Sequence, residues 1–313
     1  MRKEPLVILT GPTAAGKTKL SVELAKQING EIISADSMQV YRKMNIGTAK
    51  VTEQEMEGIP HHLIDILEPW EEFNVVSFQT YAKRAVQQIR EKGKIPILVG
   101  GTGFYIQALL YGIDFTENES DTALRKRLEA ESDKDGGIAL HQYLTKIDPI
   151  AADAIHPNNR KRVIRAVEFY ELTGQRISEH NESQKHNDSC YNSAYFVLTM
   201  NRDTLYQRID TRVDQMIAQG LVDEVDALLK EGCNADMVSM QGLGYKEIIR
   251  YLNGELTLDE VIYILKRDTR HFAKRQLTWF RRERDVIWLE KDNPSSDIFE
   301  QILSELKNKL IIN

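Results

Sequence analysis

Two hydrophobic patterns alternate along the first hundred residues. Short continuous apolar runs are followed by longer stretches with apolar side chains on one face. Residues 5–10 (PLVILT) form one run, of the kind that fills a strand covered on both sides. Beyond it Leu20, Leu24 and Ile28 recur every fourth residue, which predicts a helix starting near Lys17. Residues 31–35 (EIISA) and 95–99 (IPILV) predict two further strands, and 195–200 (YFVLTM) and 286–289 (VIWL) two later ones. Strands separated by helical stretches predict an α/β fold, a parallel sheet flanked by helices. Ligands of such sheets bind at the carboxyl ends of the strands.

The pattern changes after about residue 118. Residues 119–190 are polar and carry amphipathic pieces such as LRKRLEAE, IALHQYLTKI and RVIRAVEFYELTG, with no strand-like run. They finish in the hydrophilic stretch 178–193. The expected organisation is therefore a catalytic core from residues 1–117 and 194–313, interrupted by an inserted helical domain at 118–193.

Composition narrows the picture only a little. Hydrophobic residues at 42% and charged residues at 28% describe an ordinary globular protein. A net charge of -6 gives no global sign of nucleic-acid binding, so any such binding rests on local patches. The two cysteines, Cys190 and Cys233, are too far apart in sequence for a zinc knuckle, and a reduced, cytoplasmic setting fits them. No run approaches the length of a membrane span, and the apolar residues near the N-terminus are too few for a signal peptide.

The strongest chemical signal is TGPTAAGKTKL at residues 10–20. Gly11, Gly16, Lys17 and Thr18 occupy the fixed positions of a phosphate-binding loop, with a strand before and a helix after. The glycines let several backbone N–H groups turn inward, and the helix aims its positive end at the same point. Lys17 adds a charge, and the Thr18 hydroxyl is placed to ligate magnesium. The pattern detects a phosphate chain without saying whose it is. A nucleoside triphosphatase needs an apolar strand ending in an acid for its metal. Here the best apolar strand ends in Gly100-Gly101-Thr102-Gly103, and the acid lies elsewhere, at Asp36. A metal ligand, a base and a structural cap are all open for Asp36.

Two basic patches point to a polynucleotide. Residues 265–285 hold eight basic side chains (Lys266, Arg267, Arg270, Lys274, Arg275, Arg281, Arg282 and Arg284) against three acids. The stretch HPNNRKRVIR at 156–165 holds Arg160, Lys161, Arg162 and Arg165 with no acid. A charge run is usually a solvated helix face, but two such runs suit phosphate contacts on a folded RNA. His61 and His62 are adjacent and lack a third ligand, so a structural loop is expected there.

Taken together the motifs closely resemble the bacterial tRNA dimethylallyltransferases, also called tRNA isopentenyltransferases. The matching stretches are GPTAAGKT (11–18), SADSMQVYRKMNIGTAK (34–50), IPHHLIDI (59–66), ILVGGTGFY (97–105), HPNNRKRVIRAVE (156–168), QGLGYKE (241–247) and AKRQLTWFR (273–281). They span nearly the whole chain in order. The resemblance implies a P-loop-type core that moves a dimethylallyl group from its diphosphate to the exocyclic amine of the adenine at tRNA position 37. Gly11, Pro12, Thr13, Ala14, Ala15, Gly16, Lys17 and Thr18 would bind the donor diphosphate with Mg2+. Asp36 would act as general base, and Arg212 would reach the leaving group, with Arg208 a less certain partner. Asp36, Ser37, Met38, Gln39 and Thr102 would meet the tRNA near the reacting base, which would flip into a channel. Asn158, Asn159, Arg160, Lys161, Arg162 and Arg165 would hold the anticodon stem-loop from the insertion. From the core, Gln241, Gly242, Leu243, Gly244, Tyr245 and Lys246 would do so, together with Lys274, Arg275, Gln276, Leu277, Thr278, Trp279, Phe280 and Arg281. Monomeric, cytoplasmic action without zinc or membrane is expected. An adenylate isopentenyltransferase, acting on a free nucleotide, and a P-loop nucleotide kinase are the rival readings.

Overall fold

The apolar runs become strands of one sheet in a computed structural model that describes residues 3–115, 122–185, 187–293 and 297–312. The chain divides into two compact units, Met1–Leu110 with Cys190–Asn313, and Tyr111–Ser189. In the first unit β1 (Glu4–Thr10) leads through the phosphate loop into α1 (Lys17–Gln27) and β2 (Gly30–Ala35). There follow the short α2 (Glu53–Met56), β3 (His61–His62), α3 (Val75–Glu91), β4 (Ile95–Gly100) and α4 (Gly103–Leu110). Helix α3 starts where the Asn74 side chain accepts from the amides of Val76 and Ser77, an N-cap that satisfies two otherwise orphaned donors.

The second unit is helical: α5 (Thr122–Asp135), α6 (Ile138–Ile147), α7 (Pro149–Ala154), α8 (Arg160–Thr173) and α9 (Ile177–Lys185). Its own core is made by Leu128, Leu140, Leu144, Val163, Ile164 and Val167 with small alanines between them. Buried Asp148 ties two of its helices together. It caps α7 by accepting from Ala151 N at 3.0 Å and takes both the amide (2.9 Å) and the hydroxyl (2.7 Å) of Ser178. The sequence-based boundary at residue 118 falls outside the described residues.

The first unit resumes with β5 (Tyr191–Thr199), α10 (Arg202–Ala218), α11 (Leu221–Lys230), α12 (Tyr245–Leu252), α13 (Leu258–Phe280), β6 (Val286–Glu290) and α14 (Ile298–Asn308). Leu110 and Cys190, the core residues on either side of the helical unit, are joined by a backbone hydrogen bond of 2.8 Å. The six strands lie in the order β3-β2-β4-β1-β5-β6, and every pairing is parallel. Strand β5 begins four residues before the expected 195, because Tyr191, Asn192 and Ser193 are half-buried and pair with Glu4, Pro5 and Leu6 at the sheet's lower end. Only Ala194 to Leu198 are fully buried, and only they carry the apolar signal.

His61 and His62 form an edge strand and not the expected loop, pairing with Ile32 and Ile33. Their rings serve the fold: His61 Nδ1 lies 2.8 Å from Ile59 O, and His62 Nε2 lies 2.8 Å from the buried Glu31 carboxylate. Lys92 and Lys94 complete the charge around Glu31 at 3.0 and 2.8 Å, and these partners hold the carboxyl near about 2 despite its burial. Among the described residues no three His, Cys, Asp or Glu side chains are grouped to hold a metal ion, and no helix is long and apolar enough to cross a membrane.

Candidate active site

Three neighbouring strands bring their carboxyl ends to one level. Ala35 on β2 stands opposite Gly100 on β4, and Gly100 stands opposite Thr10 on β1. Thr10 Oγ1 donates to Gly100 O at 2.6 Å, which pins the β1 and β4 exits together. The next residues off these strands are therefore Asp36, Gly101 and Gly11, side by side along the crevice where parallel sheets bind ligands. A side chain at Gly11 would lie 2.6 Å from Leu198 O, so only glycine lets the loop pass so close to β5.

The loop closes on itself in a way that leaves charge uncompensated. Lys17 Nζ donates to Gly11 O and Pro12 O, both at 2.9 Å. Burial, with the Arg212 guanidinium beside it, lowers the Lys17 ammonium to about 8, and Asp36 offsets this only in part. Arg212 is likewise disfavoured as a cation by burial and then by Arg208. These two arginines lie one turn apart on α10. Lys291, the residue after β6, donates to Ala15 O at 3.4 Å, and its ammonium would lie 2.5 Å from a side chain at Gly16. Burial and then Arg208 push its proton affinity down. Four cations thus gather around one loop, an arrangement that suits a multiply charged anion.

Asp36 is the acid of the site. Its Oδ1 accepts from Met38 N at 2.8 Å and Gln39 N at 3.3 Å, which fixes the carboxylate at the strand end. Burial raises its proton affinity, while those two amides and Lys17 act against the rise. Asp36, Thr13, Thr102 and Arg212 share a cavity of about 400 Å³. Ile209, Val213 and Met216 from α10 and Leu265 and Phe272 from α13 give it an apolar wall.

Other sequence-based candidates that line this cavity are Ser37 and Met38, the whole run Gln241 to Lys246, and Arg275 and Gln276, whereas Thr13 is the only phosphate-loop residue among its lining. Several do different work from that expected. Gln276 is buried, and its amide bridges the two glycine turns, accepting from Thr13 N at 2.9 Å and donating to Gly101 O at 3.0 Å. Phe280 is fully buried and Leu277 packs on the core, because positions 273, 276, 277 and 280 fall on the inner side of α13. Trp279 lies over Gly103, edge-on to Phe104 at 6.2 Å. Lys274, Arg275, Thr278 and Arg281 face outward. Tyr245 is fully buried, with its hydroxyl 2.7 Å from Glu224 Oε1. Gln39 turns its amide to Thr48 O and Ala49 O at 3.3 and 3.2 Å.

The basic helix α13 is only partly a free cationic face. Lys266 pairs with Asp214, Arg270 with Asp210 and Arg267 with Asp268. No ion pair involves Lys274, Arg275 or Arg281 among the described residues. In the helical unit, Asn158, Asn159, Lys161, Arg162 and Arg165 are exposed. Arg160 instead bonds Ser132 Oγ at 2.8 Å and pairs with Asp133. Lys291 escaped the sequence reading, although its place immediately after a parallel strand is a signal that the strand-end rule supplies.

The chain matches the family model described as IPP transferase over residues 39–283. It is 62% identical over 311 residues, 99% of either chain, to a tRNA dimethylallyltransferase of Lachnoclostridium phytofermentans. It is 53% identical to that of Carboxydothermus hydrogenoformans, over 96% of this chain and 97% of that one. Among solved structures, the full-length tRNA isopentenylpyrophosphate transferase of Bacillus halodurans is similar with a TM-score of 0.74 and 49% identity, covering 99% of both chains. A eukaryotic dimethylallyltransferase acting on tRNA is similar with a TM-score of 0.84 and 31% identity, over 98% of this chain and 79% of that one.

The lowered Lys17 ammonium would make anion binding at the loop pH-dependent. As pH rises through about 8 the lysine loses its charge, so affinity for inorganic pyrophosphate should fall about tenfold from pH 7 to pH 9. Calorimetric titration at both pH values checks this, with Lys17→Arg as the control that does not titrate. An equal loss in that variant would assign the effect to the ligand's own ionisation.

Proposed function

Since the chain belongs to the IPP transferase family, we propose that it transfers a dimethylallyl group from dimethylallyl diphosphate to the exocyclic amine of adenine 37 of tRNA, releasing diphosphate. The observation that carries this reading is the shared cavity. Thr13 of the phosphate loop, the Arg212 guanidinium, the Asp36 carboxylate and an apolar wall open onto one space of about 400 Å³. Dimethylallyl diphosphate has one end for each surface: a diphosphate for the loop and a hydrocarbon for Ile209, Val213 and Met216.

In this mechanism the adenine amine attacks the first carbon of the dimethylallyl group. A carbon–nitrogen bond forms as the carbon–oxygen bond breaks, and the electron pair leaves with the diphosphate. Lys17 and Arg212, with Arg208 and Lys291 at the rim, meet the charge that develops there. The amine must give up a proton, and Asp36 takes it. Hydrogen bonds fix Asp36 through Oδ1, which leaves the second oxygen for the proton. Its raised proton affinity suits a group that takes up a proton.

The donor set fits magnesium. The Thr18 hydroxyl is exposed at the start of α1 and offers a hard oxygen, and the diphosphate and water would supply the other ligands. Magnesium would add charge neutralisation on the leaving group. The target base must leave its stack to reach Asp36, which makes base flipping part of the reading. The outward side of α13, Lys274, Arg275, Thr278 and Arg281, would hold RNA phosphates, as would Lys161, Arg162 and Arg165 of the helical unit. A monomer acting in the cytoplasm is the setting that goes with such a substrate.

Incubation with labelled dimethylallyl diphosphate and magnesium, with an unmodified anticodon stem-loop and AMP in competition, tests the reading. Label should enter the stem-loop. Label confined to AMP would favour the free-nucleotide reaction, and ATP turnover without transfer would favour a kinase. Charge reversal at Lys274 and Arg281 together should weaken tRNA binding and reduce the salt slope of log affinity by about two. Unchanged tRNA affinity in that double variant would make α13 a solvated face only.

A further inference from the structure

Two stretches of irregular main chain line the cavity together with Asp36: residues 47–49 and the turn 241–244 that leads into α12. Neither is held by the sheet. The first, through residues 45–47, and the Tyr245 side chain that follows the second converge on the carboxylate of Glu224, which projects from α11. Glu224 Oε2 accepts from Asn45 N at 2.8 Å and Ile46 N at 2.7 Å. Oε1 accepts from Gly47 N at 3.1 Å and from the Tyr245 hydroxyl at 2.7 Å. Three consecutive amides pointing at one anion form a nest that closes only around a negative charge.

The loop is shaped to need such an anchor. A side chain at Gly47 would lie 2.6 Å from the Tyr245 ring, so the loop rests directly on the ring face. Ala49 has φ 49, a left-handed conformation that is unfavourable for a residue other than glycine. The far side of the loop is joined to the candidate base. Gln39 donates its side-chain amide to Thr48 O and Ala49 O, while its backbone N–H donates to Asp36 Oδ1. Hydrogen bonds and the main chain between them therefore link Glu224 through the loop to Asp36.

We propose that Glu224 is a positioning residue for the transfer, holding the 45–47 loop and Tyr245 on one carboxylate and so setting the width of the slot in which adenine meets Asp36. The inference rests on the functional reading above and adds to it a residue remote from the phosphate loop. Glu224 touches no reacting atom. It acts through the two walls it joins. Burial and the neighbouring carboxylate keep the Tyr245 phenol protonated, so the hydroxyl remains a donor to Glu224 throughout.

Glu224→Gln tests this, because it keeps the shape and replaces one acceptor with a donor facing main-chain N–H groups. The expected result is a fall in kcat of about tenfold to a hundredfold and a raised KM for tRNA. Affinity for inorganic pyrophosphate and KM for dimethylallyl diphosphate should stay within about twofold. Tyr245→Phe, which removes one of the four donors, should show the same split more weakly, and it carries the test if Glu224→Gln fails to fold. Gly47→Ala should give the same signature by lifting the loop off the ring. Wild-type kcat in Glu224→Gln, or a parallel loss of pyrophosphate affinity, overturns the positioning role. A wild-type chain that binds pyrophosphate yet prenylates no adenine overturns the functional reading, and the Glu224 role with it.

Discussion

The site depends on one constraint of the sheet: β2, β4 and β1 end at the same level. Gly100 sits between Ala35 and Thr10, so the phosphate loop, the second glycine turn and Asp36 leave from adjacent strands. The strands can come this close because Gly100 has no side chain, where any Cβ would collide with the Ala35 carbonyl. Gln276 then fixes the two turns to each other from α13. The same helix carries Lys274, Arg275 and Arg281 on its outer side, so the spacing between the phosphate loop and a cationic surface is set by one rigid element.

Electrostatics suits that edge to an anion. Burial alone disfavours the charges on Lys17 and Arg212, and their mutual repulsion adds to the cost. Asp36 faces the Lys17 ammonium, and burial works against its charge as well. A diphosphate would relieve the repulsion among the cations without neutralising Asp36. An attacking amine would then find a carboxylate that already favours a proton. The apolar residues of α10 and α13 complete the division, since a hydrocarbon gains from leaving water where a second phosphate or a hydrolytic water would not.

Much of the core was legible in the sequence. The phosphate loop, the strands at 5–10, 31–35, 95–99 and 286–289 and the parallel sheet announce themselves through local patterns. What escaped is long-range. His61 and His62 are too few to show a period, and their strand exists only because β2 offers an edge. The first residues of β5 are polar and half-buried, so hydropathy placed its start too late. Two basic side chains of the helix, Lys266 and Arg270, are committed to Asp214 and Asp210 on α10, acids more than fifty residues away along the chain. Phe280, Leu277 and Gln276 lie in the same motif as the exposed cations, and only the helical period separates the two sides. Lys291 and Glu224 have no motif at all: their partners, Ala15 and residues 45–47, are distant in sequence.

On the proposed reading, the strand edge holds a base and a leaving-group site as separate parts. The most direct test of that reading is the single-turnover rate of prenyl transfer by the Asp36→Asn chain, measured alongside pyrophosphate affinity. Transfer should be slower by about 10²–10⁴-fold with pyrophosphate affinity retained. Transfer at near the wild-type rate, or loss of pyrophosphate binding in step with turnover, would contradict it.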